Sequence, residues 1–217
     1  MRIRITFSKT EAMRFTGHLD LYSTLERTMR RAGLPLAYSQ GYNPHPKLTL
    51  AAALPLGFTS RGEMADFWLK EDMPLAEVES ALRAALAPGV ELHQIEVVDP
   101  LAPKLQVQVH SADYEVTLLE AAADLAQRVA DLLAAESLPR QKVRKRKVRT
   151  YDLRALIETV EVMEADDAGK QRLHMRLAAR EGETGRPDEI LKALEIDPLV
   201  ARYHRVELNF AETQESG

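Results

Sequence analysis

The chain has 217 residues, 45% of them hydrophobic and 29% charged, with a formal net charge of −4 and no cysteine. That composition belongs to a soluble, folded protein with enough chain for one large domain or two small ones. It excludes disulfides, a thiolate nucleophile and a cysteine-ligated iron–sulfur cluster within the chain. No apolar run approaches the roughly 20 residues needed to cross a bilayer. The opening Met-Arg-Ile-Arg-Ile-Thr-Phe lacks the continuous hydrophobic core of a signal peptide, so a cytoplasmic location without membrane contact is expected.

Along the chain, the alternation of Arg2 to Phe7 predicts a strand with Ile3, Ile5 and Phe7 facing inward. A helix follows from about Leu19 to Arg31: Tyr22, Leu25 and Met29 recur at helical spacing, Asp20 suits its start, Arg30 and Arg31 suit its end, and Gly33 suits the stop. Strands are expected around Leu48 to Leu54 and Ala65 to Leu69. Pro74 then opens a helix striped by Leu75, Val78, Leu82 and Leu86, and Val90 to Val98 closes the unit as a strand. The interval Asp99 to Pro103, with two prolines, reads as a linker.

The second half repeats the order. A strand at Tyr114 to Leu119 and a helix at Ala121 to Ala135 precede a basic stretch. Strands at Glu158 to Met163 and Arg172 to Ala178, a helix opened by Pro187, and a strand at Ala201 to Phe210 complete it. The expected fold is therefore α+β, two tandem ferredoxin-like (βαββαβ) units with antiparallel sheets. Their spans are residues 1–100 and 104–211, with a disordered tail at 212–217.

Charge is distributed unevenly. Residues 1–65 hold nine Lys/Arg against four Asp/Glu, and residues 140–149 hold seven basic side chains and no acid. Clustering of this kind attracts a polyanion despite an acidic total. In Arg140-Gln-Lys142-Val-Arg144-Lys145-Arg146-Lys147-Val-Arg149 the alternation of a strand would put cations on both faces, which implies an edge ribbon or protruding hairpin. Tyr151 follows as an aromatic on which a base would stack. A solvated edge, or docking on an acidic protein, is the competing reading.

Two further constellations carry polar chemistry. In Ser39-Gln-Gly-Tyr-Asn-Pro-His-Pro-Lys47, each proline stiffens its own position and extends the residue before it, so Asn43 and His45 are presented by a rigid loop beside Lys47. If His18, at the entry to the first helix, meets His45, the two imidazoles are candidates for acid and base, with Lys47 stabilising negative charge. The bland alternative makes His18 a packed helix-start residue and His45 a surface one. Arg27, Arg30 and Arg31 share a helix face and are candidate phosphate contacts, or else a solvated face paired with carboxylates. No glycine-rich phosphate loop and no His-Glu-x-x-His pair occurs, so neither a cofactor nor a metal is expected.

At Phe15-Thr-Gly-His-Leu-Asp20, Arg30-Arg31-Ala-Gly33, Ser39 to Lys47, Leu54-Pro-Leu-Gly57 and Gly62-Glu-Met-Ala-Asp66 the sequence resembles the bacterial radical SAM-linked proteins, a family of unknown function. The resemblance implies a domain beside, or fused to, a B12-binding radical SAM protein that would carry the cluster this chain lacks. A looser similarity is to tandem ferredoxin-like RNA endonucleases that process CRISPR transcripts, from which the chain departs at Gly182-Glu-Thr-Gly185, where those carry a glycine-rich loop. The expectation is an RNA-binding accessory protein that presents RNA, such as tRNA or rRNA, to a radical SAM modifying enzyme. A metal-free RNA endonuclease or RNA-modifying enzyme using His18 and His45, and an adaptor for an acidic protein, are the alternatives.

Overall fold

The computed structural model describes residues 1–144 and 147–211, and their side chains except at 143, 144 and 147. The chain is a mixed α+β protein with mostly antiparallel sheet and, among the described residues, five α-helices. It divides into two units between Val109 and His110, with Ala211 returning to the first unit through its amide bond to the Gln108 carbonyl at 2.9 Å. The last six residues, expected as a tail, lie outside the described residues.

The first unit runs β1 (Arg2–Lys9), α1 (His18–Arg31), β2 (Leu48–Leu50), β3 (Phe58–Trp68), α2 (Leu75–Ala85), β4 (Val90–Val98) and a short α3 (Leu105–Gln108). Its sheet order is β2-β3-β1-β4, with every pair antiparallel. Ile3, Ile5 and Phe7 point into a core closed by Leu21, Leu25 and Met29 of α1 and by Val78 and Leu82 of α2. The inward apolar face of the strand and the helical stripes supply one another's burial, which is why both helices cover one side of the sheet. Helix α1 starts after an extended Gly17 and stops at Gly33, whose φ is 70°.

On the opposite face, Arg2 and Arg4 of β1 converge on Asp66 of β3, which is fully buried. Arg2 donates to Asp66 from Nε and Nη2 at 3.0 and 2.6 Å, and Arg4 donates from Nε at 2.8 Å. The rest of the Arg2 guanidinium donates to the carbonyls of Ala102 and Pro103 at 2.7 and 2.9 Å. The segment read as a linker is thus fastened to this unit, because a buried guanidinium must use its remaining donors.

Two strand bounds differ from the sequence expectation. Strand β2 ends at Leu50 instead of Leu54, and β3 begins at Phe58 instead of Ala65. The extra length of β3 is hidden because Thr59, Ser60 and Glu63 are buried polar residues, and because the register against β1 slips between Phe7 and Lys9.

The second unit runs β5 (Val109–Leu118), α4 (Leu125–Ala134), β6 (Pro139–Arg144), β7 (Lys147–Asp152), β8 (Ile157–Met163), β9 (Arg172–Arg180), β10 (Glu183–Thr184), α5 (Pro187–Ala193) and β11 (Ala201–Phe210). The sheet order is β8-β9-β5-β11, and β10 pairs with the end of β9. Helix α4 begins four residues later than expected, after Asp124 at φ 52°. Among the described residues, strands β6 and β7 pair only with each other, an inserted hairpin between α4 and β8 that accounts for the surplus strands of this half.

Candidate functional site

The hairpin is the most charged element, and its register decides where the charges go. Arg140 lies opposite Tyr151, and Lys142 opposite Arg149. Directly opposed residues of an antiparallel pair project from the same face, as do positions two apart on one strand. Arg140, Lys142, Arg149 and Tyr151 therefore share one face, with Gln141 and Thr150 on the other. This corrects the expectation of cations on both faces for the described positions: the turn falls where it brings the even-numbered residues of β6 opposite the odd-numbered residues of β7. The register also pairs Arg144 with Lys147, but those two side chains, and Lys145 and Arg146 altogether, lie outside the described residues.

The base of the hairpin is locked. Asp152 accepts from the amides of Leu138 and Arg154 at 2.7 and 2.9 Å, and the Leu153 amide donates to the Leu138 carbonyl at 2.9 Å. Arg154 reaches back to the carbonyls of Leu133 and Ile157 at 3.3 Å each. The amide bonds, led by that from Leu138, hold the Asp152 carboxyl below the usual carboxylate value.

Beside this base lies a cleft of about 840 Å³, bounded by Lys142, Arg149 and Tyr151, by Gly182 and Thr184 around β10, and by Arg186 ahead of α5. Its acids are already engaged. Asp188 accepts from Nε and Nη2 of Arg186 at 2.9 and 3.0 Å, Glu189 accepts from Lys192 at 2.7 Å, and Glu183 pairs with Arg180 at 3.1 Å. Among the described residues neither Lys142 nor Arg149 has an acidic partner. Two like charges directly opposed on a hairpin repel, an arrangement that an anion from outside would relieve. Burial, followed by the nearby charge of Glu189, pushes the Tyr151 hydroxyl up, so the ring carries a neutral donor.

Sequence reasoning named Lys142, Arg149 and Tyr151, and the structure gathers them in one cleft. It missed Arg186 and Thr184, and set Gly182 aside as part of a poor glycine loop. Only the pairing of β10 with β9 brings that turn beside the hairpin.

The other predicted residues lie in the first unit. The loop Ser39–Lys47 is tied at its base: Lys47 donates to the Ala37 carbonyl at 2.7 Å, Ser39 to the His45 carbonyl at 2.8 Å, and the His45 amide to Ser39 Oγ at 3.0 Å. Asn43, His45 and Lys47 are exposed. The Tyr22 hydroxyl of α1 donates to the Pro46 carbonyl at 3.5 Å, one turn along from half-buried His18, so the loop docks on the helix face that begins with that histidine. The arginines have divided roles: Arg31 donates to the Ala85 carbonyl at the end of α2, Arg30 pairs with Glu26 at 2.7 Å and lies over the Tyr38 ring, and Arg27 is exposed.

The model of a family described as an uncharacterized protein conserved in bacteria, DUF2344, matches residues 2–187. The chain belongs to that family. No curated protein matches the sequence. Among solved structures, the chain is similar to one in the crystal structure of a Cbf5-Nop10-Gar1 complex, with 12% identity and a TM-score of 0.51. That likeness covers 98% of this chain and 50% of the other, so the chain spans about half the length of its structural neighbour, and the likeness is one of fold. No helix described for this family member is long and apolar enough to cross a membrane.

Proposed function

We propose that this protein is an RNA-binding accessory protein whose second unit grips the phosphate backbone between the basic hairpin and the β10 turn. The observation that carries the reading is the directly opposed Lys142 and Arg149 beside Tyr151, over a cleft whose acids are consumed by their own neighbours. Cations there meet phosphates, and the ring offers a stacking surface that tolerates any base. The strand orders β2-β3-β1-β4 and β8-β9-β5-β11 support reading both units as ferredoxin-like, with the hairpin as an insertion in the second. The partner to which the RNA is presented is a B12-binding radical SAM modifying enzyme, on the strength of the motifs from Phe15 to Asp66 quoted above.

Fluorescence anisotropy with an unstructured RNA oligonucleotide tests the reading. Affinity falls steeply with salt, and each of Lys142→Ala and Arg149→Ala lowers the slope of log K against log salt by about 0.7, the value for one single-strand phosphate contact. Retention that is equal at low and moderate salt, or that survives both substitutions together, overturns it.

A further inference from the structure

We infer that the Ser39–Lys47 loop of the first unit is a second RNA-contacting element, which captures an unpaired base on the ring of Tyr42. The inference rests on the RNA reading above and names the part of the RNA that this loop takes. Tyr42 is fully exposed, at 101% of its reference area, and it sits at the tip of a loop whose base is fixed by the bonds of Ala37, Ser39, His45 and Lys47. An aromatic ring held out by a stiff loop has already lost the freedom that stacking would otherwise cost. The tip is built for presentation: Gly41 takes φ 151°, and Asn43, Pro44 and His45 on its far side are exposed as well.

The surroundings select a nucleotide over a plain apolar ligand. From Arg27 to Gly62 the sequence contains no acid, while it contains Arg27, Arg30, Arg31, Lys47 and Arg61. At the root of the loop, Tyr38 is flanked by Arg30, which also pairs with Glu26 at 2.7 Å, and by Lys70, each 5.5 Å from the ring centre, so cationic groups are held beside the strand that leads into the loop. Exposed Asn43 and His45 place amide and imidazole hydrogen-bonding groups one and three residues from Tyr42, the chemistry that reads a base edge. In a duplex the base faces are covered by stacking, so the ligand is single-stranded RNA or a loop.

The test compares an unstructured RNA with a blunt duplex of equal length, measured by anisotropy on the full chain. Tyr42→Ala is expected to weaken binding of the unstructured RNA by roughly 5- to 100-fold with an unchanged salt slope, Tyr42→Phe to bind as the parent, and duplex affinity to stay the same in both. The loss of an uncharged stacking surface moves the intercept, and the loss of a phosphate contact moves the slope. An unchanged affinity in Tyr42→Ala, with Lys142→Ala and Arg149→Ala still weakening binding, overturns this inference and leaves the RNA reading standing. No RNA binding by the parent chain overturns both. If Tyr42→Ala binds RNA as the parent does but no longer retains a radical SAM partner, the loop is a protein contact and the inference also falls. Because Tyr42 contributes nothing to the core, unchanged thermal melting of the variants is the control for folding.

Discussion

Asp66 accepts hydrogen bonds from Arg2 and Arg4 inside the first unit, with its side chain and that of Arg2 almost wholly shielded from water. Removing the carboxylate leaves a buried guanidinium without its counter-charge. Asp66→Ala is therefore expected to cost about 3–5 kcal/mol, read as a lower urea midpoint, and to loosen the Ala102 and Pro103 contacts. In the sequence Asp66 looks like an ordinary polar residue at a strand start. Its importance is invisible there because its partners are 64 and 62 residues away. Gly89 is a second such position. Its φ is 89°, and an added Cβ would lie 2.6 Å from Met13 Cγ and 3.0 Å from the Met13 amide nitrogen. Gly89→Ala should destabilise by about 1–3 kcal/mol in the same assay, through strain and overpacking together.

Helices α1 and α2 were legible almost to the residue, because apolar spacing, Asp20 at one end and Gly33 at the other all agree. The hairpin was legible as an element but not as a surface. Which cations share a face depends on register, and register depends on where the turn falls. The anchor of the hairpin has its own pH signature. Because the folded pKa of Asp152 lies below the ordinary carboxylate value of about 3.9, its contribution is complete above that value and is lost as pH falls through it toward the folded one. Asp152→Asn, which does not titrate, should show a shallower acid-unfolding profile below about pH 4. At neutral pH it should show faster hydrogen exchange at the amides of Leu138 and Arg154. Identical profiles for parent and variant would remove Asp152 as the anchor.

Across the whole molecule a net charge of −4 coexists with a cationic hairpin and a 36-residue stretch, Arg27 to Gly62, that has no acid. If the local arrangement governs RNA binding, Glu77→Gln with Glu96→Gln, both exposed and on other elements, should leave the salt slope unchanged although the protein becomes two charges less acidic. A slope that tracks net charge would contradict this.

Sequence alone determined the order of the longer strands and helices, though not the short α3 and β10, together with the inward faces of β1, α1 and α2 and the exposure of the proline-stiffened loop, because these follow from period and from backbone restriction within a few residues. Tertiary structure decided the burial of Asp66, the length of β3, the gathering of Lys142, Arg149, Tyr151, Thr184 and Arg186 around one cleft, and the commitment of Arg31 to α2. Each of those depends on strand register or on a partner distant in the chain, and contact between distant residues is set by packing and pairing, which local pattern does not encode.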